Sequence, residues 1–253
     1  MKLFYRSIGE QGPAIIILHG IFGTSDNWLG IGKALAANHR VFLVDQRNHG
    51  QSPWDDAFDY QVMSEDLFEF IQDHSLDSPI LIGHSMGGKV VMQFDLNHPG
   101  VAQKIIIVDI APKYYPVHHT SILEGLNSLD LKTLESRQAA NDHLKRFEEK
   151  EGVRQFLLKN LYRNADQEFA WRINLKVITQ HIDVVGHELW VKNPSLTETI
   201  FIKGADSHYI QPEDHRYIAE IFPNFELIEI PHAGHWVQAD QPEAFLAALN
   251  QVL

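Results

Sequence analysis

Pro79-Ile80-Leu81-Ile82-Gly83-His84-Ser85-Met86-Gly87-Gly88 decides the reading of this chain. It reads as a short apolar strand, a glycine-flanked serine, and the start of a helix continuing through Lys89-Val90-Val91-Met92-Gln93-Phe94. Gly83-His84-Ser85-Met86-Gly87 fits G-x-S-x-G, a strand-to-helix elbow that lifts a serine hydroxyl above a sheet. Serine on so sharp a turn is strained, and side chains at the two flanking positions would collide with it; glycine removes those collisions. The N–H groups that follow lie at a helix N-terminus, where partial positive charge favours an oxyanion. Five residues would also suit a plain small-residue turn. The strand before and the helix after favour the elbow.

Upstream, Ala14-Ile15-Ile16-Ile17-Leu18 is a β-branched run suited to a strand buried on both faces. It follows an edge strand over Leu3–Ile8 and ends in His19-Gly20-Ile21-Phe22-Gly23. That H-G-x-x-G string fits a loop donating a second oxyanion N–H, making Ile21 and Met86 the two donors; it reads equally as a glycine-rich strand end. A helix over Asn27–Ala37, a buried strand over Arg40–Asp45 and the loop Asp45–Pro53 come next. Met63, Leu67, Phe70, Ile71 and His74 then share one helical face.

Downstream of the elbow, Lys104–Asp109 is a fourth buried strand, running into Ile110-Ala111-Pro112. Apolar strands alternating with amphipathic helices predict an α/β fold, a mostly parallel sheet covered on both faces. From 113 to 196 the strands stop. Stripes at Ile122, Leu126, Leu129, at Val153, Phe156, Leu157, Leu161, and at Leu175, Ile178, Ile182, Val185 predict a helical insertion. This divides the chain into a core of 1–112 and 197–253 and a helical cap of 113–196. Such an insertion at the C-terminal edge of a sheet tends to cover the site there. Strands resume at Thr199–Lys203 and Leu227–Ile230, with helices starting at Pro212 and at Asp240, the latter with Glu243 forming a capping box.

Composition narrows the function classes. In 253 residues, 21 Lys plus Arg stand against 33 Asp plus Glu, a formal charge of −12, which argues against nucleic acid or anionic membrane as partner. With no cysteine there is no disulfide, thiolate metal site or cysteine nucleophile. No signal-peptide pattern opens the chain, so a cytoplasmic address is expected. The 15 histidines show no H-E-x-x-H pattern, and neither a G-x-G-x-x-G loop nor a P-loop occurs. No metal or cofactor is expected.

H-G-x-x-G, the D-x-R-x-H-G-x-S of Asp45–Ser52, G-H-S-M-G-G and a late Gly234-His235-Trp236, in that order, resemble the α/β-hydrolase superfamily over essentially the whole chain. The resemblance implies Ser85 as nucleophile and His235 as general base, since serine needs an imidazole to take its proton. His19 and His84 read as scaffolds, and His232 is the near rival to His235. The usual acid follows the penultimate strand as G-x-x-D; counted from Gly204 that slot is Ser207, with Asp206 one place early. The family also tolerates an acid after the preceding strand, here Asp109. Asp109 assisted by Ser207 is favoured, with Asp206 the alternative. Phe22, Trp28, Tyr114, Tyr115, Trp171 and Trp236 are candidates for the substrate wall, although aromatic stripes also serve cores. The implied activity is a cofactor-free serine esterase for small to medium carboxylic esters. Thioesterase, haloperoxidase or C–C hydrolase chemistry on the same triad, or a non-catalytic binding scaffold, are the alternatives.

Overall fold

The computed structural model describes residues 1–117 and 119–253. The elements, in chain order, are β1 (Tyr5–Ile8), β2 (Ala14–Leu18), α1 (Leu29–Leu35), β3 (Arg40–Val44), α2 (Tyr60–Asp73), β4 (Ile80–His84), α3 (Met86–Asn97) and β5 (Lys104–Val108). An insertion follows: α4 (Thr120–Asn127), α5 (Arg137–Leu144), α6 (Glu151–Leu158), β6 (Leu161–Arg163), β7 (Phe169–Trp171), α7 (Leu175–Gln180) and α8 (Ile182–Gly186). The chain closes with β8 (Glu198–Gly204), α9 (Asp214–Ile221), β9 (Phe225–Ile230), α10 (Val237–Asp240) and α11 (Pro242–Val252). Among the described residues no helix is long and apolar enough to cross a membrane.

Seven strands form one sheet in the order β1-β3-β2-β4-β5-β8-β9. Within this sheet, among the described residues, only β1 pairs antiparallel, on the edge, and the other pairings are parallel. The continuous apolar runs sort by strand periodicity into two cores. Ile16, Leu18, Leu81, Ile105 and Ile107 face α2, α3 and the insertion. Ile15, Ile17, Ile80, Ile82, Ile106 and Val108 face the opposite way, against Trp28, Ile31 and Phe245 from the α1 and α11 side.

Strand order places the site. The chain runs from β2 out to β3 and returns on the other side to β4, so β2 and β4 flank the point where the winding reverses. Register brings Leu18 level with Gly83, His84 level with Val108, and Val108 level with Ile202. The loops leaving β2, β4, β5 and β8 therefore emerge side by side.

The insertion departs from its expected all-helical pattern. Leu161 does not continue the α6 stripe: it opens β6, which pairs with β7 in a short antiparallel hairpin, Leu161 opposite Trp171. Leu129 lies beyond the end of α4, and the third stripe is broken into α7 and α8 at His181. The expected helix over Asn27–Ala37 is a 3-10 turn, Ser25–Trp28, leading into α1. The Asp240 capping box is absent as well. Asp240 closes α10, and its carboxylate accepts from Gly234 N–H at 2.8 Å, while Gln241 and Pro242 start α11.

Candidate active site

Ser85 occupies the elbow with φ 54° and ψ −119°, a left-handed conformation that side chains rarely adopt. Glycine is required around it for a reason other than direct collision with the serine. A Cβ at Gly83 would stand 2.3 Å from the Gly87 carbonyl oxygen, and one at Gly87 would stand 2.6 Å from the carbonyls of Leu18 and His19. The elbow thus packs against the end of β2. The H-G-I-F-G loop runs directly beside the serine, since a Cβ on Gly20 would lie 3.1 Å from the Ser85 Cβ. Ile21 comes next in that loop, and Met86 opens α3 immediately after the serine.

The other functional side chains arrive from β5, β8 and β9. His235 Nε2 lies 3.0 Å from Ser85 Oγ, and its Nδ1 lies 2.8 Å from Asp109 Oδ2. Asp109 is fully buried and itself has positive φ, 52°. Its Oδ2 also accepts from the Ser207 hydroxyl, and its Oδ1 accepts from Gly204 N–H at 3.1 Å. Ser207 Oγ in turn accepts from Tyr209 N–H at 3.2 Å. Asp206 is exposed, with its backbone N–H on Ala233 O, and His232 is exposed on the preceding loop. The Tyr209 ring stacks on His235 with centroids 3.8 Å apart and planes 14° off parallel, which limits imidazole rotation.

Three buried histidines frame this group. The His84 Nε2–H donates to the His235 carbonyl at 2.8 Å, fixing the backbone beneath the imidazole. His19 donates from Nδ1 to Gly20 O and accepts from Gln46 N–H on Nε2 at 3.0 Å. His49 donates from Nδ1 to Arg47 O and accepts the Phe22 N–H on Nε2 at 3.2 Å. An Nε2 that accepts carries no proton, so His19 and His49 are neutral. Burial pushes His19 down to about 4 and His49 and His84 down to about 3.

Ser85 and His235 open into a cavity of about 290 Å³, with mainly apolar walls. Phe22, Trp28 and Trp236 line it as expected. Tyr114 and Trp171 do not. Tyr114 is 56% exposed, and Trp171 belongs to the β6–β7 hairpin, half-buried against the main core. Tyr115, the neighbour of Tyr114, lines a much smaller pocket on the Met86 side of the serine, its hydroxyl donating to Tyr209 O at 2.6 Å. The larger wall also includes Ile122, Val153, Phe156, Leu157 and Tyr209, which the sequence does not mark as wall residues. Four of these five sit on α4 and α6, on stripes that sequence alone assigns to helix packing. Among the described residues no cluster of His, Cys, Asp and Glu is arranged to hold a metal ion.

A family model described as alpha/beta hydrolase fold matches residues 13–242. The chain is 35% identical over 260 residues to "Esterase YbfF" of Escherichia coli, covering 100% of this chain and 99% of that protein. It is 35% identical over 249 residues to "sn-1-specific diacylglycerol lipase ABHD11" of Mus musculus, covering 95% of this chain and 81% of that protein. A solved "Marine microorganism esterase" superposes with a TM-score of 0.97 at 40% identity, covering 100% of this chain and 99% of that one.

Proposed function

The chain belongs to the α/β-hydrolase family and is a carboxylic ester hydrolase, and from that premise we propose that it cleaves small to medium esters through Ser85, His235 and Asp109. The observation that carries the reading is the unbroken hydrogen-bond chain from Ser85 Oγ through both His235 nitrogens to Asp109, opening into an apolar cavity. Ser85 attacks the acyl carbonyl while His235 Nε2 takes its proton, and Asp109 stabilises the resulting imidazolium. Backbone N–H groups of Ile21 and Met86 hold the oxyanion. The imidazolium protonates the departing alcohol, and water, activated by the same imidazole, releases the acid. Acyl thioesters react by the same steps.

Ser207 acts on Asp109 rather than on substrate. It supplies one of the three hydrogen bonds that hold the carboxylate in place. Residues 113–196 form the cap over the core of 1–112 and 197–253. The cavity volume of about 290 Å³ lies at the low end for small-molecule sites, which run from about 300 to 1,000 Å³. That favours one acyl chain of modest length over two long ones.

A fluorophosphonate probe tests the reading. The wild-type protein should be labelled at Ser85 and Ser85→Ala should not. Hydrolysis of p-nitrophenyl butyrate should fall about 10⁴- to 10⁶-fold in the variant with its melting temperature preserved. Turnover at a tenth of wild type would remove Ser85 as nucleophile.

A further inference from the structure

A second cleft, of about 520 Å³, opens on the far side of the oxyanion loop, and neither Ser85 nor His235 lines it. One wall is Thr24–Asp26 and Arg6 from the core; the other is Arg137, Lys159 and Arg172 from the insertion. Four cations thus converge in a chain whose formal charge is −12. Two carboxylates share the lining, and both are occupied. Asp26 pairs with Arg6 at 2.7 Å, and Asp45 accepts the N–H groups of Ser25 and Gln51 at 2.6 and 2.9 Å.

Among the described residues, Arg6 is the only one of the four in an ion pair. Arg137 spends two N–H donors on the carbonyls of Leu158 and Leu161, leaving three of the guanidinium's five. Arg172 lies over the Tyr162 ring, 4.8 Å from its centroid, held by the ring without losing its charge. Lys159 is exposed at the rim. With Arg6 paired to Asp26, the three cations of the insertion outnumber the one remaining carboxylate, Asp45, and planar guanidinium forks match phosphate oxygens.

We propose that this cleft is a binding site for a small soluble phosphate or pyrophosphate group, held by Arg137, Lys159 and Arg172 against the Arg6 wall. Among the described residues, the exposed large apolar side chains, Trp54, Tyr114, Val117, Trp190 and Leu196, all lie outside the lining, which favours a soluble anion over a lipid surface. Bound between core and insertion, the anion would tie the two together just past the C-terminus of α6, from which Val153, Phe156 and Leu157 wall the Ser85 cavity.

Isothermal titration of the full chain with inorganic pyrophosphate, and separately with inorganic phosphate, tests this. Saturable binding is expected for wild type and equally for Ser85→Ala. Arg172→Gln and Lys159→Gln should each weaken it about tenfold, the scale of one charge-assisted contact, while keeping ester hydrolysis. Sodium chloride of matched ionic strength should give no saturable heat. The proposal is overturned if pyrophosphate gives no saturable binding at millimolar concentration. It is also overturned if both glutamine variants bind as tightly as wild type, if chloride competes equally, or if Ser85→Ala loses the binding.

Discussion

In an Asp109→Asn variant the side-chain amide has two orientations, and neither restores what the carboxylate does. The carboxylate Oδ1 accepts from Gly204 N–H at 3.1 Å, while Oδ2 accepts from His235 Nδ1 at 2.8 Å and from the Ser207 hydroxyl. With the amide oxygen kept on Gly204, the NH₂ meets His235 Nδ1 as a donor. The imidazole must then carry its proton on Nε2, where it cannot accept from Ser85. With the amide flipped, the NH₂ confronts the Gly204 N–H in a place with no exposure, where water cannot relieve it. An unsatisfied buried donor costs about 1–3 kcal/mol. Loss of the negative charge that stabilises the imidazolium is added in either orientation. The expected loss in kcat is about 10²- to 10⁴-fold, or roughly 2.7 to 5.4 kcal/mol of barrier. KM should change little, because the amide touches no substrate. Initial rates on p-nitrophenyl butyrate, with a thermal melt to establish folding, measure it. Asp206→Asn, altering an exposed side chain, should stay near wild type. A folded Asp109→Asn enzyme keeping more than a tenth of wild-type kcat, or a crippled Asp206→Asn, would refute the assignment.

Acid should unfold the protein through its buried histidines. His19, His49 and His84 stay neutral in the fold down to about 4, 3 and 3 but take protons near 6.5 when unfolded, so stability falls as pH drops from 6.5 towards 4, by at most roughly 4 kcal/mol per pH unit; a melting temperature unchanged between pH 7 and pH 5 would contradict this. Lys89→Met should lower the melting temperature by roughly 6–12 °C, because the fully buried ammonium serves the carbonyls of Lys113, Gly186 and His187 and its loss costs about 3 kcal/mol; a shift under about 2 °C would show that those carbonyls find other partners. Phe156→Trp should shorten the accepted acyl chain by filling the cavity beside Trp236, lowering kcat/KM for an octanoyl ester about tenfold more than for an acetyl ester; equal losses would place the acyl chain elsewhere.

The sheet was legible because its strands are unusually explicit. Ile15-Ile16-Ile17 and Ile105-Ile106-Ile107 leave little choice but a strand buried on both faces, and the parallel pairing follows from the helices between such runs. The insertion was legible only in its position. A hairpin built from strands of three residues, Leu161–Arg163 and Phe169–Trp171, is too short to show period-2 alternation, so Leu161 fitted a helical stripe equally well. Asp240 had the right neighbours for an N-cap, but Gly234 N–H, brought beside it by the preceding turn, competes for the same carboxylate. Tyr114 and Tyr115 are indistinguishable by type. What separates them is the bond from Tyr115 N–H to Gly186 O at 2.8 Å, a tertiary contact that turns one ring inward and leaves its neighbour in solvent.

The site divides along the same line. Ser85 leaves a local trace because its strained backbone needs packed glycines on either side, whereas His235 is picked out by the family resemblance. Asp109 has a weaker trace, a strand end followed by a proline-bearing turn. The features that make the three productive as a set are tertiary. Asp109 meets His235 because β4 and β5 end level in register while β8 runs on past them to Gly204, which lets Gly204 and Ser207 from β8 and its loop clasp a carboxylate from the end of β5. Tyr209 stacks on the imidazole because that loop then turns back over it. His84 reads from sequence as a scaffold, and its ring reaches the His235 carbonyl 151 positions away and holds the backbone that aims Nε2 at Ser85. A neutral ring donating from Nε2 does this without adding a second positive charge beside the imidazolium that the proposed mechanism requires. Lysine or arginine could make the same hydrogen bond, but its fixed cation would oppose protonation of His235. Burial, which lowers the pKa of His84 to about 3, keeps that ring neutral.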